Sequence, residues 1–167
     1  MKQPAPIPAL LPGDALLYGD YSPLSWAIRF RTWSDVSHIE IKARPGFSLA
    51  SRSEGPGEYL TRFNGLRYVL RPVPKFNFAA GLQWFYRRAD KLPYGWTDLA
   101  RFYGINLKTK GMICSQFAEL FYGHCGLMLF NDDYPSGAIS PRDYKIVPST
   151  HLKTIWSWKW RQGRNSD

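Results

Sequence analysis

The chain has 167 residues, with 22 Lys or Arg against 13 Asp or Glu and a formal net charge of +9. Its 44% hydrophobic content excludes a disordered polymer and suits one core, so residues 1–167 read as a single domain. The charge favours an anionic partner, but Arg29, Arg31, Arg87, Arg88 and Lys91 form no continuous tract, which argues against specific nucleic-acid recognition.

Residues 1–11 are a Pro-rich, extended lead-in. "MKQPAPIPALLPG" is too broken by proline to be a signal peptide, and no stretch approaches the ~20 apolar residues of a membrane span. "DALLYGD" (14–20) reads as a short strand, and "SPLSWAIRFRTW" (22–33) as a helix opening after Pro23. "SHIEIKA" (37–43) alternates, with Ile39 and Ile41 on one face and His38, Glu40 and Lys42 on the other. "RPGF" is a turn and "SLASR" a strand that pairs back. "GPGE" reads as a further break, and "LRYVLRPV" (66–73) as a strand.

Helical character begins near Asn77, with Leu82, Phe85 and Tyr86 at helical spacing. "YGWTDLARFYG" (94–104) gives a second helix and "ICSQFAELFYGHCG" (113–126) a third. The third carries an apolar stripe of Ile113, Phe117, Leu120 and Phe121, and Gly123 or Gly126 ends it. "AISPRDYKIV" and "HLKTIWSWKW" supply loops and one or two strands, and 161–167 is a flexible basic tail. The order predicts an α+β fold: an antiparallel sheet packed against a few helices.

The two cysteines do not make a disulfide framework. On one helix Cys114 and Cys125 stand about 16 Å apart along the axis, beyond the roughly 7 Å between Cα atoms that a disulfide tolerates. Cys114 falls at the helix start, where the unpaired N–H groups and the positive dipole end favour a thiolate and can cradle an oxyanion. Lys108 and Lys110 add positive potential just upstream. A buried apolar filler is the competing reading for Cys114, and the stronger one for Cys125 at the far end, where the dipole disfavours a thiolate. A nucleophilic thiol wants a base. His124 reads as a helix-end imidazole and His151 as a surface one; His38 stands on the polar face of its strand, where the competing reading is a satisfied surface or core histidine.

Several segments together resemble the permuted NlpC-type cysteine peptidases and amidases, a papain-like superfamily whose permuted branch places His before Cys, as lecithin-retinol acyltransferase-like proteins also do. The resemblance runs over "PGDALLYG" (12–19), "SPLSWAIRFRTWSDVSHIEI" (22–41), "YGWTDLARFYG" (94–104), "CSQFAELFYGHCG" (114–126) and "ISPRDY" (139–144). It implies a circularly permuted papain-like fold with Cys114 as nucleophile and His38 as general base. The orienting third group would come from the strand after the His strand, where Ser51 is the nearest candidate and Glu54 a later one. Glu40 is a further option, because i and i+2 share a strand face, although that family usually has a small residue there. Gln116 stands where the family often has Glu.

Tyr18, Asp14, Ser115 and Arg52 are candidates for the oxyanion or the substrate. For Asp14 the competing reading is a turn cap, for Tyr18 a core tyrosine and for Arg52 a solvated side chain. The His and Cys residues lack metal-ligand spacing, so neither a metal nor a cofactor is expected. The sequence thus predicts a cysteine hydrolase that cleaves an amide through a thioester acyl-enzyme. The resemblance implies bacterial cell-wall peptide as substrate. The alternatives are an inactive binding module on the same fold and a thiol acyltransferase using lipid or amine acceptors. A protein made in the cytoplasm without a signal peptide would reach a wall by lysis, a secretion system or a virus particle.

Overall fold

The computed structural model describes residues 6–19, 29–30, 32–95, 111–130 and 139–158. Among the described residues six strands form one antiparallel sheet: β1 (Ala15–Tyr18), β2 (His38–Arg44), β3 (Phe47–Arg52), β4 (Gly55–Leu60), β5 (Leu66–Pro72) and β6 (Leu152–Ser157). Their spatial order is β4-β3-β2-β1-β5-β6. Short connections make β2, β3 and β4 a meander, while the central β1 pairs with both β2 and β5. Among the described residues two full α-helices accompany the sheet, α1 (Phe78–Arg87) and α2 (Cys114–His124). The α+β class follows from the element order, as the hydrophobic periods predict.

The strand alternation is realised in the packing. Ala15, Leu17, Ile39, Ile41 and Leu49 join the main core with Phe85, Phe117, Phe121 and Tyr122 of the helices. The opposite face buries a smaller cluster of Leu16, Tyr18, Leu66, Val69 and Trp156, partly covered by Ile7 and Leu10 of the lead-in. Helix α2 lies against β2 and β3, and α1 packs on α2. Asn77 caps α1, its side chain accepting from Ala80 N at 3.1 Å. Gly81 lets the helices approach closely, because a Cβ there would collide with Cys125 Sγ and the Phe121 ring.

Three expectations are corrected. "GPGE" is not a break but the start of β4, an outer strand of the sheet. Gly55 takes the left-handed φ of 109° that the tight turn demands, and Pro56 is tolerated because an edge strand can spare its N–H. Leu120 and Tyr86 are exposed rather than core. The buried face of α2 is rotated toward Phe117, Ala118, Phe121 and Tyr122, and the small Ala118 gives little apolar signal. The helix expected over 22–33 and the one over 94–104 lie mostly outside the described residues, as do Lys108, Lys110 and the 161–167 tail.

Both cysteines are free and buried. Among the described residues no helix is long and apolar enough to cross a membrane.

Candidate active site

Cys114 is the first residue of α2. Ile113 before it is extended, and the first helical bond runs from Phe117 N to Ile113 O at 2.9 Å. The amides of Cys114, Ser115 and Gln116 therefore have no carbonyl one turn back within the helix. Gln116 Oε1 turns back to accept from Ile113 N at 3.2 Å and closes the helix start. The approach to the helix is pinned by the strand-like pairing of Met112 with Tyr94. Met112 N donates to Pro93 O (3.1 Å), while Met112 O accepts from Gly95 N (3.2 Å) and from Ser51 Oγ (2.5 Å).

His38 opens β2 opposite Tyr18 of β1, and Glu40 stands opposite Leu16. His38 and Glu40 thus project to the same side of the strand, as the alternation predicts. His38 Nε2 lies 3.3 Å from Glu40 Oε1, an ion-pair contact without hydrogen-bond alignment. Glu40 Oε1 also accepts from Arg52 Nε (3.0 Å) and Arg52 Nη2 (2.5 Å). The Arg52 guanidinium rests over the Tyr59 ring, 4.4 Å from its centroid. With Nε2 turned to the carboxylate, Nδ1 is the nitrogen left for sulfur.

Thiol and imidazole act on each other. Burial alone would raise the Cys114 thiol, but the His38 imidazolium and the N–H groups of Ile39 and Ser115 outweigh it and lower its pKa. Burial alone would lower His38; the Cys114 thiolate and Glu40 reverse that and lift the imidazole to about 10. For Glu40, burial opposes ionisation, while His38 and Arg52 hold its pKa below the usual carboxylate value. The arrangement favours a thiolate–imidazolium pair backed by a carboxylate. Cys114 is only 5% exposed, whereas the His38 side chain is 25% exposed, so among the described residues the imidazole is the accessible edge of the pair.

The remaining candidates separate from this chain of contacts. Ser51 serves the Met112 carbonyl two residues before Cys114, not the imidazole. Glu54 is exposed in the β3–β4 turn. Arg52 is not a solvated substrate ligand, because its guanidinium is committed to Glu40 and Tyr59. Asp14 is 1% exposed and paired through both oxygens to Arg71 (2.9 and 2.8 Å), and it accepts from Leu11 N at 2.8 Å. It is a structural anchor, and a carboxylate would in any case repel an oxyanion. Ser115 is fully buried and its hydroxyl donates to Ile139 O at 2.6 Å, so only its backbone N–H faces the sulfur. The Tyr18 ring lies 6.2 Å from that of His38. Burial, then Glu40, raises its phenol and keeps it neutral, and Cys114 is not among the groups that act on it. Tyr18 belongs to the carboxylate end of the site.

Sequence reasoning missed Tyr94 as a neighbour of the sulfur. Burial, then the Cys114 charge, raises its phenol pKa. Its approach depends on the Tyr94–Met112 bridge, which no local pattern announces. His124 is exposed and stacks on Trp84 at 4.9 Å, and burial pushes the Cys125 thiol up to about 12. Comparison with protein-family models returns no match, and neither does comparison with curated proteins.

Proposed function

We propose that the chain is a cysteine hydrolase that cleaves an amide bond, with cell-wall peptide as the substrate class that the sequence resemblance suggests. The observation that carries this reading is the buried relay at the head of α2. A thiol at a helix start has its pKa lowered by an imidazole, and a carboxylate holds that imidazole's other nitrogen. Glu40 takes the orienting role, with Arg52 fixing it. In the proposed cycle His38 takes the thiol proton and the thiolate attacks the carbonyl carbon. The oxyanion lies toward the first-turn amides of α2. Collapse expels the amine, which leaves with the proton from His38. Water then loses a proton to His38, attacks the thioester, and releases a carboxylic acid and the thiol.

The test has two arms. Iodoacetamide titration across pH should alkylate Cys114 selectively, well below the ordinary thiol pKa of about 8.5. Cys125 should be spared, and His38→Ala should move the reaction to alkaline pH. Muropeptides should be cleaved by the native chain and at least ~1,000-fold more slowly by Cys114→Ala. Slow alkylation of both cysteines only at alkaline pH would sink the enzyme reading in favour of a binding module.

A further inference from the structure

On the sheet face that carries His38 and Glu40, β2 continues to Lys42 and Arg44, which line a cavity of about 470 Å³. That volume suits a small organic ligand. Its remaining walls come from the lead-in, chiefly Ile7, Leu10 and Pro12, and from Pro45 and Phe63. Phe63 is 54% exposed, an apolar side chain left partly open to solvent in that wall.

The two cations in its wall differ. Arg44 is neutralised by Glu58 through contacts of 2.8 and 3.0 Å. Lys42 is only 6% exposed, yet its ammonium meets only neutral acceptors, Phe47 O at 3.1 Å and Thr61 Oγ1 at 3.0 Å. Thr61 Oγ1 in turn lies 2.7 Å from the buried Ser48 Oγ. An ammonium has three donors, and two are used. Among the described residues no carboxylate pairs with Lys42. Glu40, two residues earlier on the same face, attracts the ammonium through space but spends its direct contacts on Arg52 and His38. Burial outweighs that attraction and lowers the ammonium's pKa, so an anion in direct contact would stabilise its charge.

We propose that this cavity is a binding site for a single-chain carboxylate of medium length, its head on Lys42 and its hydrocarbon tail along Leu10, Pro12 and Phe63. The site is independent of Cys114 and stands whether or not the thiol is catalytic. Charge selects the head: an amine would face Lys42 with like charge, and an alcohol would leave it unneutralised. The lining selects the tail, because apart from the two cations the cavity wall is apolar.

The test is titration of the full chain with decanoate below its micelle concentration, followed by amide and side-chain NMR, with decylamine and decanol as comparison probes. Saturable shifts should cluster at residues 7–12, 42–46 and 61–63. Decanoate should bind at least ten-fold more tightly than decanol, and decylamine more weakly still. Lys42→Met should abolish the preference for decanoate over decanol and raise the thermal midpoint of the free protein, because it removes a desolvated charge that has no direct ion pair. Phe63→Glu, at an exposed side chain of the cavity wall, should weaken decanoate at least ten-fold with the sheet intact, a readout that does not depend on Lys42→Met folding. Equal binding of the three probes, unchanged decanoate affinity in Phe63→Glu, or shifts centred elsewhere would each overturn the proposal.

Discussion

One negative charge, on Glu40, is shared between two cations. Arg52 and His38 both meet its Oε1 atom, and the side chain is 3% exposed, so water screens little of the competition. Two substitutions should therefore move the His38 titration in opposite directions. Glu40→Gln removes the carboxylate that, after Cys114, supports the imidazolium, and the midpoint should fall by at least about one pH unit. Arg52→Gln removes the rival cation and leaves the carboxylate wholly to His38, so the midpoint should rise. NMR of the imidazole Hε1 reads both directly. Cys114 alkylation should follow: a lower His38 pKa raises the thiol pKa, so Glu40→Gln needs higher pH to react, while Arg52→Gln does not. Shifts of the same sign in the two variants would mean that Glu40 does not mediate between them.

The helix start depends on backbone that arrives from elsewhere. A Cβ at Gly111 would stand 2.6 Å from Gly95 N and from the Tyr94 carbonyl atoms, so Gly111→Ala must push 111–113 away from 93–95. The expected cost is about 1–3 kcal/mol in urea unfolding, together with a rise in the pH needed to alkylate Cys114, whose position that pairing fixes. Asn77→Ala is the control. It should cost about 1 kcal/mol through the lost α1 cap and leave the thiol profile unchanged. Equal effects on the profile would show that general destabilisation, not the 93–112 pairing, governs the thiol. What the sequence made legible at this scale follows from period and caps. The alternation of 37–43 gave β2 and the shared side of His38 and Glu40, and Asn77 marked the start of α1. β4 was hidden because a Gly-Pro-Gly start has a turn's composition and only its place at the sheet edge makes it a strand. The assignments of Asp14, Ser51 and Arg52 needed partners 57, 61 and 12 residues away, Arg71, Met112 and Glu40. No local pattern encodes such pairings.

At the scale of the whole molecule, Asp35 ties together segments that the chain separates widely. It sits three residues before His38 and accepts from Tyr68 of β5 (2.6 Å), from Lys145 of the 139–147 segment (2.5 Å) and from Trp158 after β6 (3.2 Å). Burial opposes its charge, but the three donors prevail and hold the carboxyl at about 2 against an ordinary value of 3.8. A depressed folded-state pKa contributes stability that is fully present above the unfolded value and lost as pH falls through the folded one. Here the window runs from about 4 down to about 2, and the full contribution is about 2 kcal/mol. Asp35→Asn keeps an oxygen for Tyr68 and Trp158 but leaves Lys145 without its countercharge. Urea unfolding of the two proteins should therefore differ by about 2 kcal/mol at pH 6, and the gap should shrink steadily between pH 4 and pH 2. Other carboxylates titrate alike in both proteins, so the difference isolates Asp35. A gap that stays constant across that window would assign the loss to side-chain geometry and not to the charge that joins β5, β6 and the approach to His38.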